Sequence, residues 1–221
     1  MEKPYISILG DSISTFEGYS NNPLRNTTTK DNAVYYGGEG NTGSEYSLRL
    51  EDCWWYKSAQ EVGLRVLVNN SWSGDRVSLR GLQRCEQLHS DVLNAEPDII
   101  AVYLGTNDYN HSLSVEDFYE KYAEMVKKIT TRYTAKVFLL TVVPNGRCFK
   151  LGRTLEELPL FNQQIKKIAK QYGCTVVDLY EDSGITEENY SQYTFDGDLH
   201  PNVEGHARMA KCLIEKMKSG I

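Results

Sequence analysis

Tyr5-Ile6-Ser7-Ile8-Leu9-Gly10-Asp11-Ser12-Ile13-Ser14 is a short apolar run that stops at a glycine and passes into a polar cluster. An apolar stretch of five residues, rich in β-branched side chains and closed by turn formers, predicts a buried strand rather than a helix. Four more runs of this kind follow: Arg65 to Val68, Asp98 to Leu104, Lys136 to Val143 and Thr175 to Leu179. Between the later runs, apolar residues recur at helical spacing. The stripes are Leu82, Cys85, Leu88 and Val92; Val115, Phe118, Tyr122, Val126 and Ile129; and Leu158, Phe161, Ile165, Ile168 and Tyr172. A last helix is predicted with Val203, Ala207, Ala210, Ile214 and Met217 on one side and Asn202 as its N-cap.

Strands that alternate with amphipathic helices imply parallel pairing with right-handed crossovers, and nearly continuous apolar strands imply burial of both sheet faces. The expected fold is therefore a doubly wound α/β/α sandwich of three layers around a five-stranded parallel sheet. Ligands of such sheets collect beyond the carboxyl ends of the strands.

The chain has 221 residues and is 40% hydrophobic, which suits one domain, residues 1–221, with a continuous core. A long loop insertion interrupts the rhythm at about residues 17–50, rich in Asn, Gly, Thr and Tyr. It leaves the first strand beside Ser12, as either a functional lid or a structural wrap over the sheet edge. A net charge of −6 and the lack of a Lys/Arg run argue against a nucleic-acid partner. Five cysteines at 53, 85, 148, 174 and 212 are widely spaced without a C-x-x-C pair, so free thiols in a reducing compartment are expected. No stretch has signal-peptide or membrane-spanning character, which predicts a cytoplasmic protein, or a secreted or periplasmic one if a leader is removed.

Four strand ends carry the chemistry. They are Gly10-Asp11-Ser12-Ile13-Ser14, Asn69-Asn70-Ser71-Trp72-Ser73-Gly74, Gly105-Thr106-Asn107-Asp108, and Asp196-Gly197-Asp198-Leu199-His200-Pro201-Asn202. A serine hydroxyl becomes a nucleophile when an imidazole takes its proton and a carboxylate fixes the imidazole's tautomer. Ser12 supplies the hydroxyl and His200 the base. Gly105 lets the chain turn so that Asn107 points inward. Asp11 reads as the residue that holds the serine turn.

Together the four blocks resemble the SGNH-hydrolase superfamily, also called GDSL-type esterases and lipases, whose fold is flavodoxin-like. The likeness spans residues 10 to 202, nearly the whole chain. It implies Ser12 as nucleophile and His200 as general base. The oxyanion hole would be formed by the backbone N–H groups of Ser12 and Gly74 and the side-chain amide of Asn107. Such donors face the charge that develops on the ester carbonyl and are each worth roughly 3 kcal/mol of barrier. The family usually places its aspartate three residues before the histidine, where this chain has Gly197. Asp196 fits if Asp198 is an insertion, and is preferred because it has more chain with which to fold back onto Nδ1. Asp198 fits if the turn is shortened, and a backbone carbonyl is the third way to orient His200.

Around this centre, Trp72, Tyr109 and Arg147 are candidate substrate contacts. Trp72 is read either as a pocket rim or as core, and Arg147 either as an anion contact or as solvated surface. Trp54 and Trp55 fall in a helix expected over Glu51 to Glu61, with at least one in the core. His89 and His206 are read as helix residues, whereas His111 follows the Asn107 loop and is a weaker pocket candidate. No His/Asp/Glu spacing suits a metal, and a serine mechanism needs neither metal nor cofactor. The expected activity is hydrolysis of a carboxylic ester, most simply removal of O-acetyl groups from a small-molecule or oligosaccharide substrate, with no membrane partner. The alternatives are a lipase or thioesterase for longer acyl chains, and a non-catalytic glycan- or partner-binding protein.

Overall fold

The computed structural model describes residues 3–19, 34–37 and 48–220. The five apolar runs form strands β1 (Tyr5–Gly10), β2 (Arg65–Asn69), β3 (Ile99–Tyr103), β4 (Lys136–Leu140) and β5 (Thr175–Val177). All pair in parallel in the order β2-β1-β3-β4-β5, with Ile6 opposite Ile99, Ile99 opposite Lys136 and Phe138 opposite Thr175. The order reverses between β1 and β3, so the loops after these two strands leave in opposite directions and open a crevice between them.

Four longer helices cover the sheet: α1 (Trp54–Glu61), α2 (Val115–Arg132), α3 (Leu158–Tyr172) and α4 (Val203–Gly220). Alternation of side chains along the strands divides the core in two. Ile6, Ile8, Ala101, Tyr103, Phe138 and Leu140 pack with the residues of α1 and α4. Leu9, Ile100, Val102 and Leu139 pack on the opposite face with α2 and α3. Ser114 caps α2 by accepting the Asp117 N–H at 3.0 Å. Gly173 ends α3 in the left-handed region (φ +69°), and Asn202 accepts the Gly205 N–H at 3.0 Å at the start of α4.

Three expectations are corrected. The stripe from Leu82 to Val92 does not form a sustained helix. A wide turn, Val77–Gly81, leads into a single helical turn, Leu82–Arg84, and Val92 is 95% exposed. Polar turn formers prevail over the apolar spacing: Ser90 and Ala95 exchange backbone hydrogen bonds, the Ser90 hydroxyl accepts the Leu93 N–H, and Asn94 has φ +46°. The helix expected from Glu51 starts at Trp54, after a tight turn at Leu50–Asp52. The buried face of α4 is rotated, with His206, Met209, Ala210, Leu213 and Met217 inside and Val203 43% exposed. His206 explains the rotation, because its Nδ1 accepts the Trp54 N–H at the first turn of α1 (3.2 Å). Of the loop at 17–50, residues 20–33 and 38–47 lie outside the described residues.

Trp54 and Trp55 are both fully buried between the sheet and α4. Trp54→Ala is expected to cost roughly 3–5 kcal/mol of stability, read as a lower urea midpoint with an unchanged slope.

Candidate active site

β1 delivers the chain to a position that only glycine fits. A Cβ on Gly10 would lie 2.4 Å from Ser14 Oγ and 3.1 Å from Ser71 Oγ. The chain then winds into a tight turn, Ser12–Ser14, held by Asp11, whose Oδ1 accepts the Ile13 N–H at 3.0 Å. Asp11 is fully buried, and burial pushes its carboxyl up to about 7. The Ile13 hydrogen bond offsets part of that rise, while the nearby Asp75 and Asp108 add to it. The Ser12 hydroxyl is carried on the outer side of the turn and meets His200 Nε2 at 3.1 Å.

Asp196 organises the segment that brings His200 to it. Its Oδ1 accepts three backbone N–H groups, from Asp198 (3.0 Å), Leu199 (2.8 Å) and His200 (3.1 Å). Its Oδ2 lies 2.8 Å from His200 Nδ1. Gly197, with φ +65°, lets the chain wrap this tightly. The four-residue spacing thus closes on one carboxylate, and Asp198 does not touch the imidazole. Asp198 instead binds Arg147 Nε (2.7 Å) and Lys150 Nζ (2.9 Å), and its carbonyl accepts the Gly146 N–H (2.6 Å).

Burial raises the Asp196 carboxyl, but the His200 bond and the Leu199 and Asp198 N–H groups outweigh it, holding Asp196 well below the usual carboxylate range. Burial lowers His200 below an ordinary histidine, against the pull of Asp196. An ionised Asp196 requires the proton on Nδ1, so the neutral ring presents the lone pair of Nε2 to Ser12. That arrangement is competent to take the hydroxyl proton.

Three N–H donors are carried by neighbouring loops. The backbone N–H groups of Ser12 and Gly74 have no protein acceptor among the described residues. Gly74 sits exposed at φ +72° in the turn after β2. Asn107 lies in a short helix, Thr106–Asn110, and one hydrogen of its Nδ2 goes to the Asp75 carbonyl at 3.0 Å, leaving the second available. Gly105, at φ +126°, makes the turn before it, and a Cβ there would press on Val142 and Phe118 at 3.1 and 3.2 Å.

The side chains that set these loops include two that sequence reasoning missed. Arg84, almost fully buried, is paired with Asp75 and donates to the carbonyls of Gly10 (3.1 Å) and Asn70. Asp108 accepts from the Val77 N–H (2.9 Å) and from the Ser78 N–H and hydroxyl (3.1 and 2.8 Å). Arg84 lay inside a stripe read as an amphipathic helix, where an arginine signals solvent. Tyr35 is the second missed residue, its ring stacked on that of His200 with centroids 3.4 Å apart. It belongs to a stretch without periodicity, which carries no signal for its position.

The candidate substrate contacts divide. Trp72 is half-buried next to Gly74, with the Arg80 guanidinium 5.0 Å from its ring. Tyr109 is fully buried core, donating to the Thr154 carbonyl and packed edge-on against Phe161, and does not serve as a pocket wall. Arg147 faces the site but is committed to Asp198, with a second nitrogen 3.9 Å from Asp196. His111 is exposed, and His89 bonds Tyr133.

A Ser–His–Asp chain with N–H donors thus lies at the switch point of a parallel sheet. The chain belongs to the GDSL-like lipase/acylhydrolase family, a family of ester-bond hydrolases, whose model matches residues 8–208. A multidomain esterase from Ruminococcus flavefaciens is 26% identical over 206 residues, covering 91% of this chain and 24% of that protein. The chain thus spans about a quarter of that curated relative. Among solved structures, the lipase/acylhydrolase of Enterococcus faecalis matches with a TM-score of 0.68 at 20% identity, over 98% of this chain and 96% of that one. A carbohydrate esterase of family 3 from Talaromyces cellulolyticus matches with a TM-score of 0.64 at 16% identity, over 98% and 97%. These likenesses identify the fold.

The electrostatics give an expected outcome. An NMR titration of the imidazoles should find His200 losing its proton below the ordinary histidine value. Asp196→Asn should lower that midpoint further by removing the attracting charge, and Arg147→Gln should raise it. A His200 midpoint unmoved by Asp196→Asn would contradict the geometry.

Proposed function

We propose that this chain is a serine-dependent carboxylic-ester hydrolase, and specifically an O-acetylesterase acting on a saccharide. The observation that carries the reading is the unbroken chain from Ser12 Oγ through His200 to Asp196, with steps of 3.1 and 2.8 Å.

In this reading Ser12 Oγ attacks the ester carbonyl as its proton passes to His200 Nε2. Charge moves to the carbonyl oxygen, where the three N–H groups are positioned to receive it, each worth about 10²–10³ in kcat. The tetrahedral intermediate collapses to an acyl-Ser12 as the C–O bond to the alcohol breaks, and the imidazolium returns its proton to the departing oxygen. Water, deprotonated by His200, then attacks the acyl-serine and releases the carboxylate together with free Ser12. Asp196 stays ionised throughout and stabilises the imidazolium.

A saccharide as the alcohol component is favoured by the half-buried Trp72 beside Gly74, since indole faces stack on sugar C–H surfaces. The fold likeness to a carbohydrate esterase points the same way. A second reading, an esterase for longer acyl chains, is favoured by Phe149 and Leu151, which are 47% and 44% exposed in the segment after β4.

Hydrolysis of p-nitrophenyl acetate in preference to the octanoate is expected, with acetate release from acetylated oligosaccharides that Ser12→Ala abolishes. A preference for the octanoate would transfer the assignment to the longer-chain reading. Failure of a fluorophosphonate to label Ser12 in folded protein would make the scaffold a binding protein. Asp196→Ala should lower kcat by about 10²–10⁴ and Asp198→Ala by less than about tenfold, because Asp198 touches Arg147 and Lys150 rather than the imidazole. The reverse order would make Asp198 the acid.

A further inference from the structure

We propose that Tyr35 is a positioning residue for His200, its ring laid flat on the imidazole and its backbone tied to the turn that carries Ser12. The proposal rests on the reading of His200 as the base. The two rings lie 13° from parallel with centroids 3.4 Å apart. The Tyr35 N–H donates to Thr15 Oγ1 at 2.8 Å, and the Thr15 hydroxyl donates to the Ser12 carbonyl at 2.8 Å. The cover of the base is therefore tied, through Thr15, to the turn that carries the hydroxyl the base must reach.

Tyr36 fixes the other side of this brace. It is fully buried, its carbonyl accepts the Glu17 N–H (2.9 Å), and its hydroxyl donates to the carbonyl of Pro201, the residue after His200 (3.0 Å). Its ring meets that of Tyr35 edge-on at 4.9 Å. Ser12, Thr15, Tyr35, His200 and, through Tyr36, Pro201 thus form a closed circuit of contacts.

The physical need for such a partner follows from the imidazole's two hydrogen bonds. Asp196 at Nδ1 and Ser12 at Nε2 fix the ring along the line joining its nitrogens, but they leave it free to tilt about that line. A flat aromatic neighbour sets the ring plane, and with it the direction of the Nε2 lone pair toward Ser12. The same ring keeps water from that face of the imidazole.

The groups around His200 are Asp196, Asp198 and Arg147, whose charges act on it, with Ser12, Tyr35, Tyr36 and His206. His206, pushed down to about 3 by burial, stays neutral above that. Asp11 lies beneath the Ser12 turn and is pushed up to about 7, so rate profiles alone would mix two titrations. The His200 resonance itself is therefore the readout of choice. Burial is the main cause of its lowered value, so uncovering one face should raise its midpoint.

The test uses the whole chain with Tyr35→Phe, Tyr35→Leu and Tyr35→Ala, following the His200 titration by NMR and p-nitrophenyl acetate hydrolysis per fluorophosphonate-titrated site. Tyr35→Phe should keep kcat within about twofold. Tyr35→Leu and Tyr35→Ala should lose about tenfold or more in kcat, with KM changed less than about threefold. In Tyr35→Ala the His200 midpoint should rise toward the ordinary histidine value. A merely structural brace would lower the melting temperature and leave kcat per site and the midpoint alone, which would overturn the proposal, as would Tyr35→Phe losing as much as Tyr35→Ala. If Tyr35→Ala does not fold, Tyr35→Leu decides through kcat, since it keeps the backbone bond to Thr15 and most of the volume. If the wild type itself hydrolyses no ester, the proposed function fails, whereas the midpoint shift still decides whether Tyr35 covers His200.

Discussion

The guanidinium of Arg84 is the charge on which the convergence of the site depends. It takes the carbonyls at the ends of β1 and β2 and the carboxylate of Asp75. The Asp75 backbone in turn holds the amide of Asn107 from the loop after β3. Three strand ends are thereby fixed to one another by a planar cation with five donors, a geometry lysine does not reproduce. Burying that charge is tolerable because the carboxylate and the two carbonyls replace its water, and removing any partner would leave it uncompensated. The crevice at the reversal of strand order is general to such sheets. The presentation of a hydroxyl, a glycine N–H and a carboxamide along it is the work of this clamp.

The sheet and three of the long helices were legible because their signals are local. β-branched runs of strand length have few alternatives, and the stripes at Val115–Ile129 and Leu158–Tyr172 end on capping residues that agree with them. The stripe at Leu82–Val92 misled because periodicity records only where apolar residues fall. It does not reveal that Arg84 turns inward or that Ser90 and Asn94 prefer a turn. The α4 register was shifted by a histidine, a residue that the apolar count treats as surface although it caps α1.

Within the site, the blocks that hold Ser12, Gly74 and Asn107 were recognisable because each follows a strand, and the His200 block, well beyond β5, because it completes the set. The acid was harder, since the question is how a five-residue segment folds. A carboxylate that collects three successive N–H groups on one oxygen and offers the other to the imidazole needs the extra residue between Asp196 and His200. Asp198 is the residue so accommodated, and its side chain turns away to tie down Arg147 and Lys150. Tyr109, adjacent in sequence to the Asn107 block, is far from it in environment, because a short helix carries it back into the core within two residues.

The buried carboxyl of Asp11 and the partly buried one of Asp196 also give the folded state opposing responses to acid. Asp196 is held below its ordinary value, so it favours the fold above the unfolded carboxylate range near 3.8, a contribution lost as pH falls. Asp11 is held above that value, so the folded chain binds its proton more tightly than the unfolded chain, and stability declines as pH rises from near 3.8 toward about 7. Thermal melting would show stability falling as pH rises between about 3.8 and about 7, where Asp11 acts, and the opposite slope below about 3.8, where Asp196 acts. On the mildly acidic side both contributions favour the fold, since the Ser12 turn rests on a neutral carboxyl while the partner of the histidine is still charged.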